Sequence, residues 1–205
     1  MARKSSADME KTRQAILDAG LSLLQERGYN ATGIQEIATA AGIPKGSFYN
    51  YFASKEEFGA EVIRYYARDG LEKWQAALVE AAGKSEPYSA LYQVFLEVTE
   101  KYRCADVKKG CLLGTLSAEI SEASEECRLA LKESIDAFKE VLAAYLAKGQ
   151  EQGKVRREIT AGQMADLVWD AWQGSLLRMK VEKSVEPVKT DLAVIFQHLL
   201  GVQKN

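Results

Sequence analysis

The chain has 205 residues, of which 47% are hydrophobic and 27% are charged, and its formal net charge is −2. This is an ordinary globular composition, and the weakly negative charge argues against an indiscriminate nucleic-acid binder. A membrane span is excluded because no apolar run approaches about 18 residues. The polar N-terminal residues show no signal-peptide pattern, so we expect a cytoplasmic protein with no membrane partner.

Helices are predicted throughout, since Ala, Leu, Glu, Lys and Gln are abundant and only three prolines occur. No alternating run of Val, Ile and Thr between turn residues predicts a strand. The expected fold class is therefore all-α, with about nine helices in two domains. In chain order the predicted helices cover residues 8–27, 32–42, a short stretch from 44, and then 55–82, 87–103, 110–121, 125–149, 161–182 and 187–200.

Capping signals mark several of these boundaries. Gly28 stands where a C-cap glycine ends the first helix. Capping boxes of the S/T-x-x-E/Q type predict helix starts at Thr32, Ser54 and Thr160. Pro44 suits the first position of the third helix, where its missing N–H needs no partner.

The third predicted helix carries two different faces. Phe48 and Phe52 are four residues apart and share one side, which we expect to be buried. Lys45 and Tyr49, also four apart, lie on another side that we expect to be exposed. Such a face suits the major groove of DNA, and the break between the second and third helices predicts a helix-turn-helix unit.

On these residues, segment 32–58 (TGIQEIATAAGIPKGSFYNYFASKEEF) resembles the DNA-binding domain of the TetR-type transcriptional repressors. The likeness consists of residue order and spacing over the whole segment rather than of one short motif. It implies a helix-turn-helix domain at 1–54, followed by an effector-binding and dimerisation domain at 55–205. Two subunits would then contact a palindromic operator in double-stranded DNA.

The candidate DNA-binding residues follow from this placement. We predict that Lys45 reads guanine and lies nearest to the base edges, together with Gly46 and Ser47. The residues predicted to hold phosphates, with Asn50 in the same set, are Thr32, Gln35, Tyr49, Tyr51 and Lys55. Arg3 and Lys4 are predicted to add contacts from an N-terminal arm.

The last two helices are apolar over arcs wider than one contact face requires. Burial within a single subunit would explain these arcs. The family resemblance implies instead a four-helix interface between two copies. The side chains predicted to lie across the two-fold axis are Trp172, Leu176, Ile195 and Phe196.

Aromatic residues of the middle helices can line an apolar pocket for a small-molecule effector. The alternative for each of them is that it simply packs in the hydrophobic core. The candidates are Tyr88, Tyr92 and Trp169. Lys180 shares a helix face with apolar neighbours, so it would reach either a ligand, a thiol or the solvent. The sequence leaves the identity of the effector open.

Segment 108–131 (KKGCLLGTLSAEISEASEECRLAL) is similar to a TetR subgroup that includes the N-ethylmaleimide-responsive repressor, which makes Cys111 a sensor candidate for reactive electrophiles. Cys111 follows Lys108 and Lys109 at a predicted helix start, and both surroundings favour the reactive thiolate. A small buried hydrophobe is the alternative reading of Cys111. A non-covalent ligand held by the aromatic candidates and Lys180 is the alternative mechanism.

Other functions find little support in the sequence. The three cysteines form no Cys-x-x-Cys pair and have no nearby histidine, so neither a disulfide framework, a metal site nor a cofactor is predicted. His198 is the only histidine and has no acid at suggestive spacing, so we expect no enzyme. An architectural DNA-binding protein would need a more basic chain. A carrier would not need Lys45 and Tyr49 on an exposed face.

Overall fold

The computed structural model describes residues 6–104, 110–120, 122 and 124–202. Helices dominate this part of the chain, and the only extended pairing in it is an isolated antiparallel bridge between Val155 and Gly201. The elements are α1 Ser6–Arg27, α2 Ile34–Ala40, α3 Lys45–Phe48, α4 Lys55–Ala82, α5 Pro87–Cys104, α6 Leu112–Ile120, α7 Glu125–Glu151, α8 Ala161–Glu182, α9 Glu186–Ala193 and a π-helix Val194–Leu200. The prediction of an all-α fold is confirmed.

The predicted bounds of α4 and α8 agree with the structure, whereas the last predicted helix differs. Residues 187–200 form α9 followed by the π-helix rather than one α-helix. Tyr88 Oη donates a 2.6 Å hydrogen bond to the carbonyl oxygen of Phe196 inside the π-helix. This tertiary partner satisfies a backbone acceptor in a segment that lacks α-helical pairing.

Of the three predicted capping boxes, that at Thr160 is complete, while at Ser54 only the bond from the Glu57 amide to the serine hydroxyl forms, because the Glu57 carboxylate accepts from the Ala53 amide instead. Ser54 Oγ accepts from the Glu57 amide at 3.0 Å, and Thr160 Oγ1 accepts from the Gln163 amide at 3.2 Å. The box at Thr32 is wrong, because its hydroxyl donates to the Gly28 carbonyl at 2.7 Å. Gly33 precedes α2 instead, and its amide donates to the Glu36 carboxylate at 2.9 Å.

The chain forms two compact units. Unit 1 comprises Met1–Arg68 and Leu112–Ser134, and unit 2 comprises Asp69–Cys111 and Ile135–Asn205. The functional boundary predicted between residues 54 and 55 stays a prediction, since the units follow packing. Unit 1 contains α6 and the beginning of α7 as well as α1 to α3.

Each unit has its own aromatic core. In unit 1, Phe58 lies 5.4 Å from Phe48 and 5.1 Å from Phe52, measured between ring centroids. A Cβ at Gly20 would overlap the Phe58 ring, so this position of α1 requires glycine. In unit 2, the rings that contact one another in succession are Tyr92, Phe196, Phe95, Trp74, Phe138 and Trp169.

Candidate nucleic-acid interface and effector site

A tight turn sets α3 against α2. Gly42 has φ +68°, a left-handed conformation that glycine adopts without strain. The amide of Ile43 donates to the Ala38 carbonyl at 2.9 Å and closes the turn. Pro44 then stands immediately before α3 rather than within it, in an extended conformation. Phe48 is completely buried, which fixes the rotation of α3 about its axis.

The opposite side of this segment is exposed, as the four-residue spacing predicts. Tyr49 is 51% exposed, and the edge of its ring packs against Phe48 at 5.6 Å. The other candidate residues whose side chains or backbone are exposed are Gln35, Lys45, Gly46 and Asn50, while Ser47 and Tyr51 are half-buried. The structure therefore brings these seven residues of α2, α3 and the following turn together on one segment.

Two of the predicted phosphate ligands, Thr32 and Lys55, bond to the backbone of the turn between α1 and α2. Thr32 is only 1% exposed, and its hydroxyl is bonded to Gly28 as described above. Lys55 Nζ donates to the Tyr29 carbonyl at 2.8 Å and lies 4.3 Å from the centre of the Tyr29 ring. Both side chains stabilise the turn between α1 and α2, and their role in binding DNA stays a prediction.

Thr39 is an exposed residue of this surface that the sequence analysis missed. Its hydroxyl donates to the Gln35 carbonyl at 2.8 Å and accepts from Gln35 Nε2 at 3.3 Å. The signal in the sequence was the four-residue spacing from Gln35, which places both side chains on one face of α2.

Arg13, a basic residue near the N-terminus, is engaged within unit 1. Arg13 forms an ion pair with Glu61 at 2.6 Å, and its guanidinium lies 5.2 Å from the centre of the Phe52 ring. It therefore supports the packing of unit 1. Arg3 and Lys4 lie outside the described residues.

The candidate effector residues lie in unit 2, where Tyr88 and Tyr92 meet at Phe196. The Tyr88 hydroxyl donates its hydrogen bond to the Phe196 carbonyl oxygen. Burial raises the pKa of Tyr88 well above its usual value. Tyr92 stacks on Phe196 at 5.2 Å and accepts a hydrogen bond from Gln197 at 3.3 Å. Both tyrosines thus take part in packing the π-helix.

Trp169 is 8% exposed and packs on Phe138 at 5.5 Å. It contacts neither Tyr88 nor Tyr92 among the ring contacts of the described residues, and is connected to them only through other aromatic rings. Tyr88 and Tyr92 therefore meet at Phe196, whereas Trp169 lies in a different part of the same series of aromatic contacts, and the role of all three in holding an effector stays a prediction.

Cys111 is half-buried and directly precedes α6 in the chain. A Cβ on Gly110 would lie 3.5 Å from Lys180 Nζ, so this ammonium stands beside the residue before the cysteine. Burial and the charge of a Cys111 thiolate raise the pKa of Tyr102. The structure therefore places Lys180 beside Gly110, the residue before Cys111, while Lys108 and Lys109 lie outside the described residues.

The other two cysteines are in different surroundings. Cys104 is exposed, and Cys127 is completely buried in unit 1. The Cys127 thiol donates to the Glu56 carbonyl at 3.4 Å, and burial raises the pKa of this thiol. Because the thiolate is the nucleophile, Cys127 is poorly suited to sensing.

The four side chains predicted for the dimer interface are buried within the single chain. Their exposed fractions are 7% for Trp172, 2% for Leu176, 5% for Ile195 and 3% for Phe196. They face the core of unit 2, which corrects the assignment. The exposed apolar residues of the same helices are Leu167, Leu177, Val181, Val194 and Leu199.

No helix in the described part of the chain is long and apolar enough to cross a membrane. Within the same residues, no group of three or more potential ligand side chains is arranged to hold a metal ion.

Residues 16–62 match the bacterial regulatory proteins of the tetR family, and residues 88–195 match the tetracyclin repressor-like C-terminal domain. The HTH-type transcriptional repressor DhaR of Mycobacterium sp. (strain GP1) is 35% identical over 193 residues, or 94% of both chains. The HTH-type transcriptional repressor NemR of Escherichia coli (strain K12) is 30% identical over 185 residues, covering 89% of this chain and 90% of NemR. The crystal structure of reduced E. coli NemR has a TM-score of 0.85 at 27% identity, covering 95% of this chain and 100% of that one.

Proposed function

Since this chain belongs to the TetR family of bacterial regulatory proteins, we propose that it is a transcriptional repressor which binds a palindromic operator as a homodimer and is released by a small molecule. The observation that carries this function is the exposure of Lys45 on α3 and of Tyr49 directly after it, opposite the buried Phe48. A repressor acts on the chromosome, which places it in the cytoplasm. No catalytic role is needed to explain any residue of this surface.

In the bound state, the α3 segment enters the major groove. Lys45 donates to the acceptors of a guanine edge, and Gly46 permits close approach because nothing lies within 4 Å of its Cβ position. Gln35, Thr39, Tyr49 and Asn50 supply hydrogen-bond donors toward the flanking backbone. Between Glu36 and Glu56 the sequence has no acidic residue that would repel phosphates.

Replacing Lys45 by alanine is expected to weaken operator binding by about 1–3 kcal/mol, or roughly 5- to 150-fold, and to relax the preference for one base pair. The operator is first selected by the wild-type protein from random-sequence DNA, and affinities are measured by fluorescence anisotropy. Lys73→Ala, which removes an exposed lysine of α4 outside the proposed surface, is the control. Equal affinity and base preference for both variants would contradict the assignment of Lys45.

Two copies are held together through the exposed side of α8 and the π-helix. Leu167, Gly174 and Val181 recur at seven-residue intervals and share one side of α8 with Leu177. Gly174 has no neighbour within 4 Å of its Cβ position, although an interior helix glycine costs about 1 kcal/mol relative to alanine. The packing within one chain does not explain why this residue is glycine. The close approach of a second α8 does explain it.

The small molecule is a reactive electrophile that adds to Cys111. With N-ethylmaleimide, the thiolate forms a sulfur–carbon bond at the alkene, and the displaced π electrons generate an enolate that takes a proton from water. Lys180 favours the reaction by placing a cation beside Gly110, the residue that precedes the cysteine. The added group requires the beginning of α6 to repack, which alters the spacing of two recognition helices that must fit grooves about 34–36 Å apart.

Cys111→Ser is expected to retain full operator affinity and to lose release by N-ethylmaleimide entirely, because serine is not alkylated under the same conditions. Release is followed by anisotropy, with mass spectrometry to locate the added group. Cys104→Ser removes the exposed thiol and serves as the control, with release unchanged. Covalent sensing at Cys111 is refuted if the Cys111→Ser protein leaves the operator at the same reagent concentration.

A non-covalent effector held by Tyr88, Tyr92, Trp169 and Lys180 is the second candidate. It has less support, because Tyr88 and Trp169 are packed in the core and would have to rearrange. An operator-release screen with non-reactive aromatic compounds on a protein lacking all three cysteines tests it.

DNA footprinting distinguishes a regulator from the other classes of protein considered above. Protection of a discrete palindrome identifies a regulator, smeared protection identifies an architectural DNA-binding protein, and no protection identifies a carrier.

A further inference from the structure

The turn between α1 and α2, residues 28–33, is held by a carboxylate from a distant part of unit 1. Glu119 lies on α6, and its Oε2 accepts hydrogen bonds from the amides of Tyr29 at 2.8 Å and Asn30 at 3.3 Å. Hydrogen bonds to an ionised acceptor are stronger than those between neutral groups. One side chain of α6 therefore restrains two consecutive peptide groups of the turn.

The backbone of the turn is shaped to admit this carboxylate. Gly28 has φ +80°, and its amide ends α1 by donating to the Leu24 carbonyl at 3.0 Å. A Cβ at this position would overlap the Glu119 carboxylate. Gly28 thus meets two requirements at once, since it adopts the left-handed conformation and leaves room for the side chain from α6.

Opposite charges hold the two sides of the Tyr29 backbone. Glu119 accepts from the Tyr29 amide, while Lys55 of α4 donates to the Tyr29 carbonyl at 2.8 Å. The Tyr29 ring is 5% exposed and packs against Gly59 of α4. The contact with α4 is both polar and apolar, whereas the described polar contact with α6 rests on the single carboxylate.

The turn leads directly into the proposed DNA-binding surface. Thr32 bonds back to Gly28, and Gly33 starts α2, so the position of the turn determines where α2 begins. The Ile43–Ala38 hydrogen bond then joins α2 to the segment that carries α3. A displacement of residues 28–30 is therefore transferred to Gln35 and Lys45 through a hydrogen bond of the Thr32 side chain, the backbone of α2 and the Ile43–Ala38 hydrogen bond.

We propose that Glu119 is a positioning residue for operator binding, through which α6 holds the α1–α2 turn in the DNA-binding conformation and releases it when α6 moves. The proposal rests on the proposed repressor function and adds the contact by which α6 acts on the DNA-binding surface. Such a contact makes operator binding and effector action depend on each other, because each favours a different position of α6.

The test compares Glu119→Ala with Glu119→Gln, whose amide oxygen can still accept both hydrogen bonds. Glu122→Ala removes an exposed carboxylate just beyond α6 and is the matched control. In Glu119→Ala we expect amide exchange at Tyr29 and Asn30 to accelerate at least about 10-fold, and operator affinity to fall roughly 10-fold. Glu119→Gln and the control are expected to stay within about 3-fold of wild type.

The effector response provides a readout that a purely structural role would not move. In a Cys104→Ser background, N-ethylmaleimide should reduce operator affinity by a smaller factor in Glu119→Ala than in the parent, because the turn is already released. Equal factors would overturn the proposal, as would unchanged exchange at the two amides. If the alanine variant does not fold, Glu119→Met, which fills similar space without an acceptor, replaces it.

The outcomes separate this proposal from the function on which it rests. A wild-type protein that selects no operator refutes the repressor function, and amide exchange still tests the contact itself. If wild type binds an operator but N-ethylmaleimide does not release it, covalent sensing fails. The affinity difference between Glu119→Ala and Glu122→Ala then decides the positioning role.

Discussion

Replacing Leu177 by glutamate is expected to convert the protein into monomers and to reduce operator affinity by at least about 100-fold, since each monomer reaches only one half-site. Leu177 is 54% exposed on the α8 face that also carries Gly174 and Val181. A carboxylate at this position would meet its symmetry mate in the apolar centre of the interface, where unpaired charge is strongly unfavourable. Sedimentation velocity measures the association state, and anisotropy measures operator binding.

The neighbouring Leu176 provides the matched control, because its side chain is only 2% exposed and is turned by about 100° around the helix axis from that of Leu177. Leu176→Glu places a charge in the core of unit 2, so we expect loss of thermal stability rather than a folded monomer. Leu177→Glu should keep its helical circular dichroism spectrum and most of its subunit stability. A Leu177→Glu protein that sediments as a dimer would show that the interface lies elsewhere.

Replacing Phe58 by alanine is expected to reduce the free energy of unfolding of unit 1 by about 3–5 kcal/mol, a large part of the stability of a typical domain. Phe58 is 1% exposed and packs between Phe48 and Phe52. Gly20 lies directly against the Phe58 ring. Removing the ring leaves a cavity there, and glycine has no side chain that could move into it. Operator binding should be lost as well, because Phe48 orients α3.

Amide exchange in α1 to α3 measures this effect within unit 1, and fluorescence of Trp74, Trp169 and Trp172 reports on unit 2. Leu129→Ala is the control, since Leu129 is a 41% exposed residue of α7 in unit 1 and its loss should change stability by about 0.5 kcal/mol or less. A Phe58→Ala protein with wild-type exchange protection would show that this aromatic cluster does not limit stability.

Local sequence patterns were sufficient for most of the helices and for the orientation of the α3 segment. The four-residue spacing of Phe48 and Phe52 correctly predicted two buried rings, and that of Lys45 and Tyr49 two exposed side chains. The Thr160 capping box correctly marked the start of α8. These predictions succeed because helix periodicity and capping depend on residues within a few positions of one another.

The same kind of pattern was wrong at Thr32, although the S/T-x-x-E/Q spacing is present there. The Thr32 hydroxyl has a nearer acceptor in the Gly28 carbonyl, and Glu36 caps α2 from inside the helix. Several polar groups compete for the same backbone partners in this turn. The outcome depends on the path of the chain through Gly28 and not on the spacing of one motif.

The sequence by itself determined the helices, the family and the exposed face of α3. Each of these follows from the order and spacing of residues that are close to one another in the chain. Only the tertiary structure decided which arc of α8 is free, and it placed Leu177 outside and Leu176 inside. It also brought Glu119 to the Tyr29 amide across 90 positions of sequence. Periodicity defines the faces of a helix, but packing against other helices selects which face is buried and which distant groups meet.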